Sequence, residues 1–309
     1  MTQRAKEKGT YLNWDLRSGN PLVNPMSDAC LVFINAMATE GWDRDGLHDD
    51  FSDGLVLNVA SKCANTIVIV HAAGIRLVDQ WIEQPNVTAT IIAHLPGQDI
   101  GDALISLLYG EISPSGKLPY TLARNESDYG HLYEPCKPAS ADDNFPQCNY
   151  TEGVYIDYRH FDANNIEPRF EFGFGLSYTT FEYQGGSVQA APPSRSDNNL
   201  AQRVITTGDS IWDAAATVTT TITNTGPVAA EEVAQLYVGI PGAPAKQLRG
   251  FEKVGLAPGE AADVAFELTR RDLSVWDVAS QSWVLQSGRY DLYVGSSSRD
   301  IRWKGVYEI

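Results

Sequence analysis

Glu40 stands in the stretch "NAMATEGWDRDG", residues 35–46, directly after the apolar run "CLVFI". An acid, a glycine and a tryptophan in succession (Glu40, Gly41, Trp42) could together move a proton on a bound ring. A carboxylic acid that donates protons needs a partly apolar site, which raises its pKa towards the working pH. Trp42 can supply that wall, and an indole face also packs against the C–H face of a sugar. Gly41 lets the backbone turn closely past a ligand. On the residues alone, a solvated acidic loop is the commoner explanation, because Asp43, Asp45, Asp49 and Asp50 follow at once.

The other chemistry-bearing residues point nowhere as specific. His71 and His94 could be paired metal ligands, but no further ligands stand at a recognisable spacing, so strand-end hydrogen-bonding roles are expected and no metal. "GEISPSGKL", residues 110–118, has five residues between its glycines where a phosphate-binding loop needs four, and Leu118 replaces the magnesium-binding hydroxyl. "FGFGLS" lacks the glycine spacing of a dinucleotide loop. No serine occupies a Gly-x-Ser-x-Gly elbow. No cofactor is called for.

Around these residues the pattern predicts a layered α/β domain. "CLVFINA" (30–36), "TIVIVHAA" (66–73) and "ATIIAHL" (89–95) are continuous apolar runs, as parallel strands covered on both faces should be. "DDFSDGLVLNVASKC", "IRLVDQWIEQ" and "QDIGDALISLLYG" carry apolar residues at helical spacing, the first with acids at its start, where the helix dipole favours anions. The expectation is a βαβαβα unit with a mainly parallel sheet and right-handed crossovers. Ligands of such sheets sit beyond the carboxyl ends of the strands, where Glu40, His71 and His94 all fall. After about residue 173 the period changes to two, and short strands separated by Gly, Pro and Asn predict an antiparallel β-sandwich. The expected division is an N-terminal extension 1–29, an α/β domain 30–172 and an all-β domain 173–309. Within the last, residues 184–210 are expected to form a flexible insertion.

Composition narrows the partners. The net charge of −16, from 39 acidic and 23 basic residues, excludes a phosphate-neutralising nucleic-acid surface and disfavours an anionic membrane. No apolar run approaches the roughly 18 residues of a spanning helix, and the N-terminus has no apolar core of a secretory signal. Three Asn-x-Ser/Thr sequons (Asn86, Asn125, Asn149) nonetheless suggest a secretory route, as do four cysteines. Cys136 and Cys148 share one Pro/Asp/Asn-rich loop, and a bridge there would stabilise it by roughly 3 kcal/mol. Cys30 opens a strand and Cys63 closes the following helix, so they could meet at a sheet edge. Four cysteines allow three connectivities.

Several motifs, in this order, resemble the carboxy-terminal half of fungal β-glucosidases of glycoside hydrolase family 3. They are "NPLVNPMSDACLVFINAMATEGWDR", "HLPGQDIGDALISLLYGEISPSGKLPYT", "EGVYIDYRHFDANNIEPRFEFGFGLSYTTFEY" and "QLRGFEKVGLAPGEAADVAFEL". The resemblance covers nearly the whole chain. It implies an α/β sandwich followed by a fibronectin type III-like β-sandwich, and retaining hydrolysis of terminal β-glucosides such as cellobiose, in secreted, cellulose-degrading enzymes. By the same resemblance Glu40 matches the general acid/base and Trp42 an aromatic position beside the aglycone. The family's nucleophile is an aspartate on a TIM-like barrel, for which only 29 residues precede the first strand, whereas a barrel takes roughly 250. The expectation is therefore a chain inactive alone, whose partners are β-glucosides or cello-oligosaccharides and a barrel in cis or in trans. The alternative is a non-catalytic carbohydrate-binding or barrel-docking module.

Overall fold

The computed structural model describes residues 1–41, 44–133, 136, 138, 140, 143–191 and 211–309. Trp42, Asp43 and residues 192–210, the greater part of the expected insertion, lie outside the described residues. The chain divides into two compact units. The first is Met1–Glu111, Leu122–Asn149 and Glu167–Arg169; the second is Ile112–Thr121, Tyr150–Ile166 and Phe170–Ile309.

The first unit begins with a short helix α1 (Thr2–Glu7) and is organised around β1 (Cys30–Asn35), β2 (Thr66–His71) and β3 (Val87–Ile92). These form one parallel sheet in the order β1-β2-β3. Helix α2 (Asp50–Ala60) makes the first crossover and packs on β1 and β2. Its Val56, Val59 and Ala60 are buried, as are Val32 and Ile34 of β1 and Val68 and Val70 of β2, which share one face of the sheet. Each of these valines and the isoleucine contributes roughly 1.5–3 kcal/mol of burial. Helix α2 starts where it does because Asp49 caps it, its carboxylate accepting from Ser52 N at 2.7 Å, with Asp50 and Asp53 in the first turn. Helix α3 (Ile100–Leu108) follows β3, and two 3₁₀ turns span Glu126–Tyr133. Disulfides join Cys30 to Cys63 and Cys136 to Cys148.

The helix expected over 75–84 does not form. Leu77, Val78 and Trp81 are fully buried, so the apolar stripe is real. However, the Leu77 N–H donates across the chain to Leu47 O at 2.8 Å, which holds the start of the segment extended. A single helical bond then closes, from Ile82 N to Val78 O at 2.9 Å, with tighter turns from Trp81 N to Val78 O and from Gln84 N to Trp81 O, before Pro85.

Among the described residues the second unit contains helix α4 (Tyr158–Ala163) and nine strands: β4 (Phe181–Ala190), β5 (Ala214–Asn224), β6 (Ala230–Gly239), β7 (Gln247–Leu256), β8 (Ala261–Thr269), β9 (Ser274–Asp277), β10 (Ser282–Leu285), β11 (Arg289–Gly295) and β12 (Ile301–Glu308). One sheet runs β12-β11-β6-β7, another β4-β5-β8, and β9 and β10 form a hairpin. All pairings are antiparallel. Val218 and Ile222 of β5 meet Leu236 and Val238 of β6 and Leu292 and Val294 of β11 in a closed core.

The insertion expected from residue 184 is corrected at its start, because residues 184–190 complete β4 and pair with β5. "QGGS" is a bulge and not a linker. The register shifts between Gln184 and Ser187, Gly185 takes φ +63°, and a side chain at Gly186 would run into the Trp303 indole. Strands β7 and β12 carry charges at Arg249, Glu252, Lys253, Arg302 and Lys304 that blur the period-two alternation in the sequence.

Candidate active site

The site grows from the carboxyl ends of the parallel strands. Strand β1 ends at Asn35, and the chain then runs exposed through Met37, Thr39 and Glu40. Gly41 has φ +80° with no atom within 4 Å of where a Cβ would stand. Conformation, not crowding, therefore selects glycine there. Among the described residues Glu40 has no hydrogen-bond or ion-pair partner, so its carboxylate is open to a ligand.

Past Trp42 and Asp43 the loop is clamped. Arg44 Nη1 donates to Ile75 O at 2.9 Å, and Leu47 O accepts from Leu77 N. Leu47 N donates to the Glu126 carboxylate, and a side chain at Gly46 would stand 2.8 Å from that same Glu126 oxygen. Beneath these contacts lies Arg76, only 2% exposed. Its Nη2 pairs with Asp53 Oδ1 at 2.8 Å and donates to Asp49 Oδ2 at 3.2 Å. Trp81 Nε1 donates to Asp53 Oδ1 at 2.8 Å. His48 Nδ1 lies 3.3 Å from Asp53 Oδ2, within ion-pair distance but outside hydrogen-bond geometry. Burial alone would raise the Asp49 carboxyl. Hydrogen bonds from Ser52 and the guanidinium of Arg76 outweigh burial and hold it below the ordinary carboxylate value.

At the neighbouring strand ends, His71 closes β2 in register with Asn35. Its ring stacks on Phe33, with centroids 6.4 Å apart and planes within 9°, and its Nδ1 lies 3.4 Å from His94 O. His94 takes φ +50°, an uncommon conformation for a side-chain-bearing residue just beyond β3. The structure thus brings His71 and His94 together and shows no bond from either to Glu40. Among the described residues no three His, Cys, Asp or Glu side chains converge as a metal site would require.

The clamp of Arg76, Asp53, Trp81 and Glu126 is the part that sequence reasoning missed. Its one signal is a lone arginine inside the apolar run "AAGIRLV". Of the sequons, Asn125 and Asn149 are exposed, whereas Asn86 Nδ2 donates to Ala60 O at 2.7 Å. The unit also exposes large apolar side chains: Trp14, Leu16, Leu22 and Met26 before β1, Met37 beside Glu40, and Leu95 after β3. No helix among the described residues is long and apolar enough to cross a membrane.

Residues 20–178 match the model of the glycosyl hydrolase family 3 C-terminal domain, and residues 232–298 that of the fibronectin type III-like domain. Beta-glucosidase cel3A of Pyricularia oryzae is 65% identical over 98% of this chain and 39% of its own length. Probable beta-glucosidase M of Aspergillus niger is 56% identical over 100% of this chain and 40% of its own. Among solved structures, the beta-D-glucoside glucohydrolase from Trichoderma reesei is similar at a TM-score of 0.86 and 38% identity, over 99% of this chain and 44% of that one. The chain therefore spans about two fifths of the length of the curated relatives it matches.

Proposed function

The chain belongs to the glycosyl hydrolase family 3 C-terminal domain family, and on that premise we propose that it is the acid/base-bearing part of a secreted retaining β-glucosidase. Glu40 protonates the glycosidic oxygen as the bond breaks, then takes a proton from the water that releases the glucosyl intermediate. Trp42 packs against the departing group. The second carboxylate, the nucleophile, comes from a separate catalytic barrel in cis or in trans. The two carboxyl groups of a retaining pair stand roughly 5 Å apart, so the domains must close over the sugar to bring Glu40 into place.

One observation carries this reading. Glu40 is exposed on a loop beyond the carboxyl end of a parallel strand, while both flanks of that loop are tied down, by β1 on one side and by Arg44 and Leu47 on the other. A merely solvated loop has no need of a buried arginine beneath it. The exposed Trp14, Leu22, Met37 and Leu95 favour coverage by another domain over a free-standing module. The two disulfides favour the secretory compartment.

The test is complementation. The chain alone is expected to leave 4-nitrophenyl β-glucoside intact. Joined to the barrel domain of a relative, it should restore hydrolysis, and Glu40→Gln should abolish turnover of substrates with poor leaving groups. Azide, which needs no general base, should then rescue the E40Q hybrid and yield β-glucosyl azide on a 2,4-dinitrophenyl substrate. A hybrid in which E40Q hydrolyses cellobiose as fast as wild type removes Glu40 from the mechanism.

A further inference from the structure

The sandwich unit carries a cluster that the hydrolytic reading leaves unused. Trp276 and Trp283 stand directly opposite each other across the β9–β10 ladder, ring centroids 5.6 Å apart and planes at 70°. The Arg271 guanidinium lies 4.6 Å from the centroid of Trp283 and 5.9 Å from that of Trp212. Trp212 is 66% exposed and Trp276 48%, an unusual outlay of indole for a surface whose core needs neither. The arrangement is built. Arg271 N donates to Ile211 O at 2.9 Å and Arg270 N to Asp213 O at 3.0 Å, which pins Trp212 from both sides. The hairpin tip is held by Ser280 N and Oγ donating to Asp277 Oδ2. Among the described residues the Arg271 guanidinium has neither an ion pair nor a hydrogen bond. Its N–H edge is therefore available beside two aromatic faces, Trp283 and Trp212.

We propose that this cluster is a second carbohydrate site that binds a single chain of a neutral β-linked glucan. Indole faces cover the apolar C–H faces of successive sugar rings while the guanidinium edge donates to their hydroxyls, which are the two kinds of surface a pyranose offers. Two observations narrow this occupant. Asp213 and Asp272 directly follow Trp212 and Arg271 in a chain of net charge −16, so an acidic polymer is disfavoured. The 70° angle between Trp276 and Trp283 offers no flat strip, so a lone, turning chain fits where the face of a crystal does not. The choice of β-glucan over other neutral polymers rests on the proposed β-glucosidase reading. The site itself does not, because Glu40 takes no part in it.

The experiment is affinity electrophoresis of the 309-residue chain in native gels containing barley mixed-linkage β-glucan, with titration by cellohexaose and a pull-down on microcrystalline cellulose. Retardation by β-glucan, saturable binding of cellohexaose and no pull-down by the crystal are expected. Trp276→Ala should weaken binding roughly tenfold or more, in line with a hot-spot aromatic, with Trp276→Phe intermediate and Glu40→Gln unchanged. Near-ultraviolet circular dichroism and the melting temperature control for folding, and Trp276→Phe keeps the hairpin packed. Absence of retardation, equal retardation of W276A, or loss of binding in E40Q alone overturns the proposal, the last by moving the site to the acid loop. So does self-association that W276A abolishes, which makes the cluster a protein contact. Failure of the barrel complementation with glucan binding intact would sink only the hydrolytic reading.

Discussion

The two units bury polar groups for different ends. In the sandwich, Asn224 is fully buried, and its amide donates to Val228 O and Leu256 O while its carbonyl accepts from Thr179 Oγ1 and Gly226 N. That residue closes a turn on itself and serves the fold. In the α/β unit, Arg76 reaches Asp49 and Asp53 of the α2 start from the segment after β2, at the end of the loop that carries the exposed Glu40. The comparison teaches that a buried ion pair is better read by what it immobilises than by what it contributes. Replacing such a pair with apolar groups is often neutral for stability, whereas removing one member is expensive.

The largest effect expected is on that asymmetry. Arg76→Ala leaves Asp53 buried without its cation and should lower unfolding stability of the α/β unit by roughly 3–5 kcal/mol, read as an earlier first transition in urea. If the sandwich transition moves with it, the two units do not unfold independently and the contrast between them weakens. Asn224→Ala should lower the sandwich transition by roughly 1–3 kcal/mol, the cost of leaving its buried partners unpaired. Smallest is Asp49→Ala, which removes the cap of α2 at about 1 kcal/mol. Its pH dependence sharpens the reading. A carboxylate held low in the folded state adds stability above its unfolded pKa of about 3.9, and that contribution disappears as pH falls through the lower folded value. The gap between wild type and D49A should therefore be full at neutral pH and close below about pH 4. A gap that widened on acidification would contradict the hydrogen bonds assigned to Asp49.

The three parallel strands were legible as continuous apolar runs, although only β2 is buried on both faces, β1 alternating and β3 holding no buried residue, and α2 because Asp49 and its acidic first turn announce a helix start. Over 75–84 the spacing of Leu77, Val78 and Trp81 reported burial correctly and conformation incorrectly, since periodicity cannot see that Leu77 N is bonded to a loop thirty residues earlier. Gly185 and Gly186 carry the signature of a linker and that of a bulge alike, and only the Trp303 ring beside them decides. Around the site, the residues alone favoured a solvated loop and only the family resemblance singled out Glu40, while the clamp had no such signature. Asp53 and Arg76 lie 23 positions apart and meet only through the crossover.

That crossover is fastened at its two ends by unlike chemistries. Where β1 begins, a covalent bridge from Cys30 fixes it to the tail of α2; beyond where β1 finishes, Arg76 gathers the head of the same helix through its carboxylates. A thiol reductant therefore loosens the seam farthest from Glu40, while strong acid attacks the seam that shapes its loop. The redox-sensitive fastening and the acid-sensitive one thus stand at opposite ends of the same strand, and each can be undone without the other.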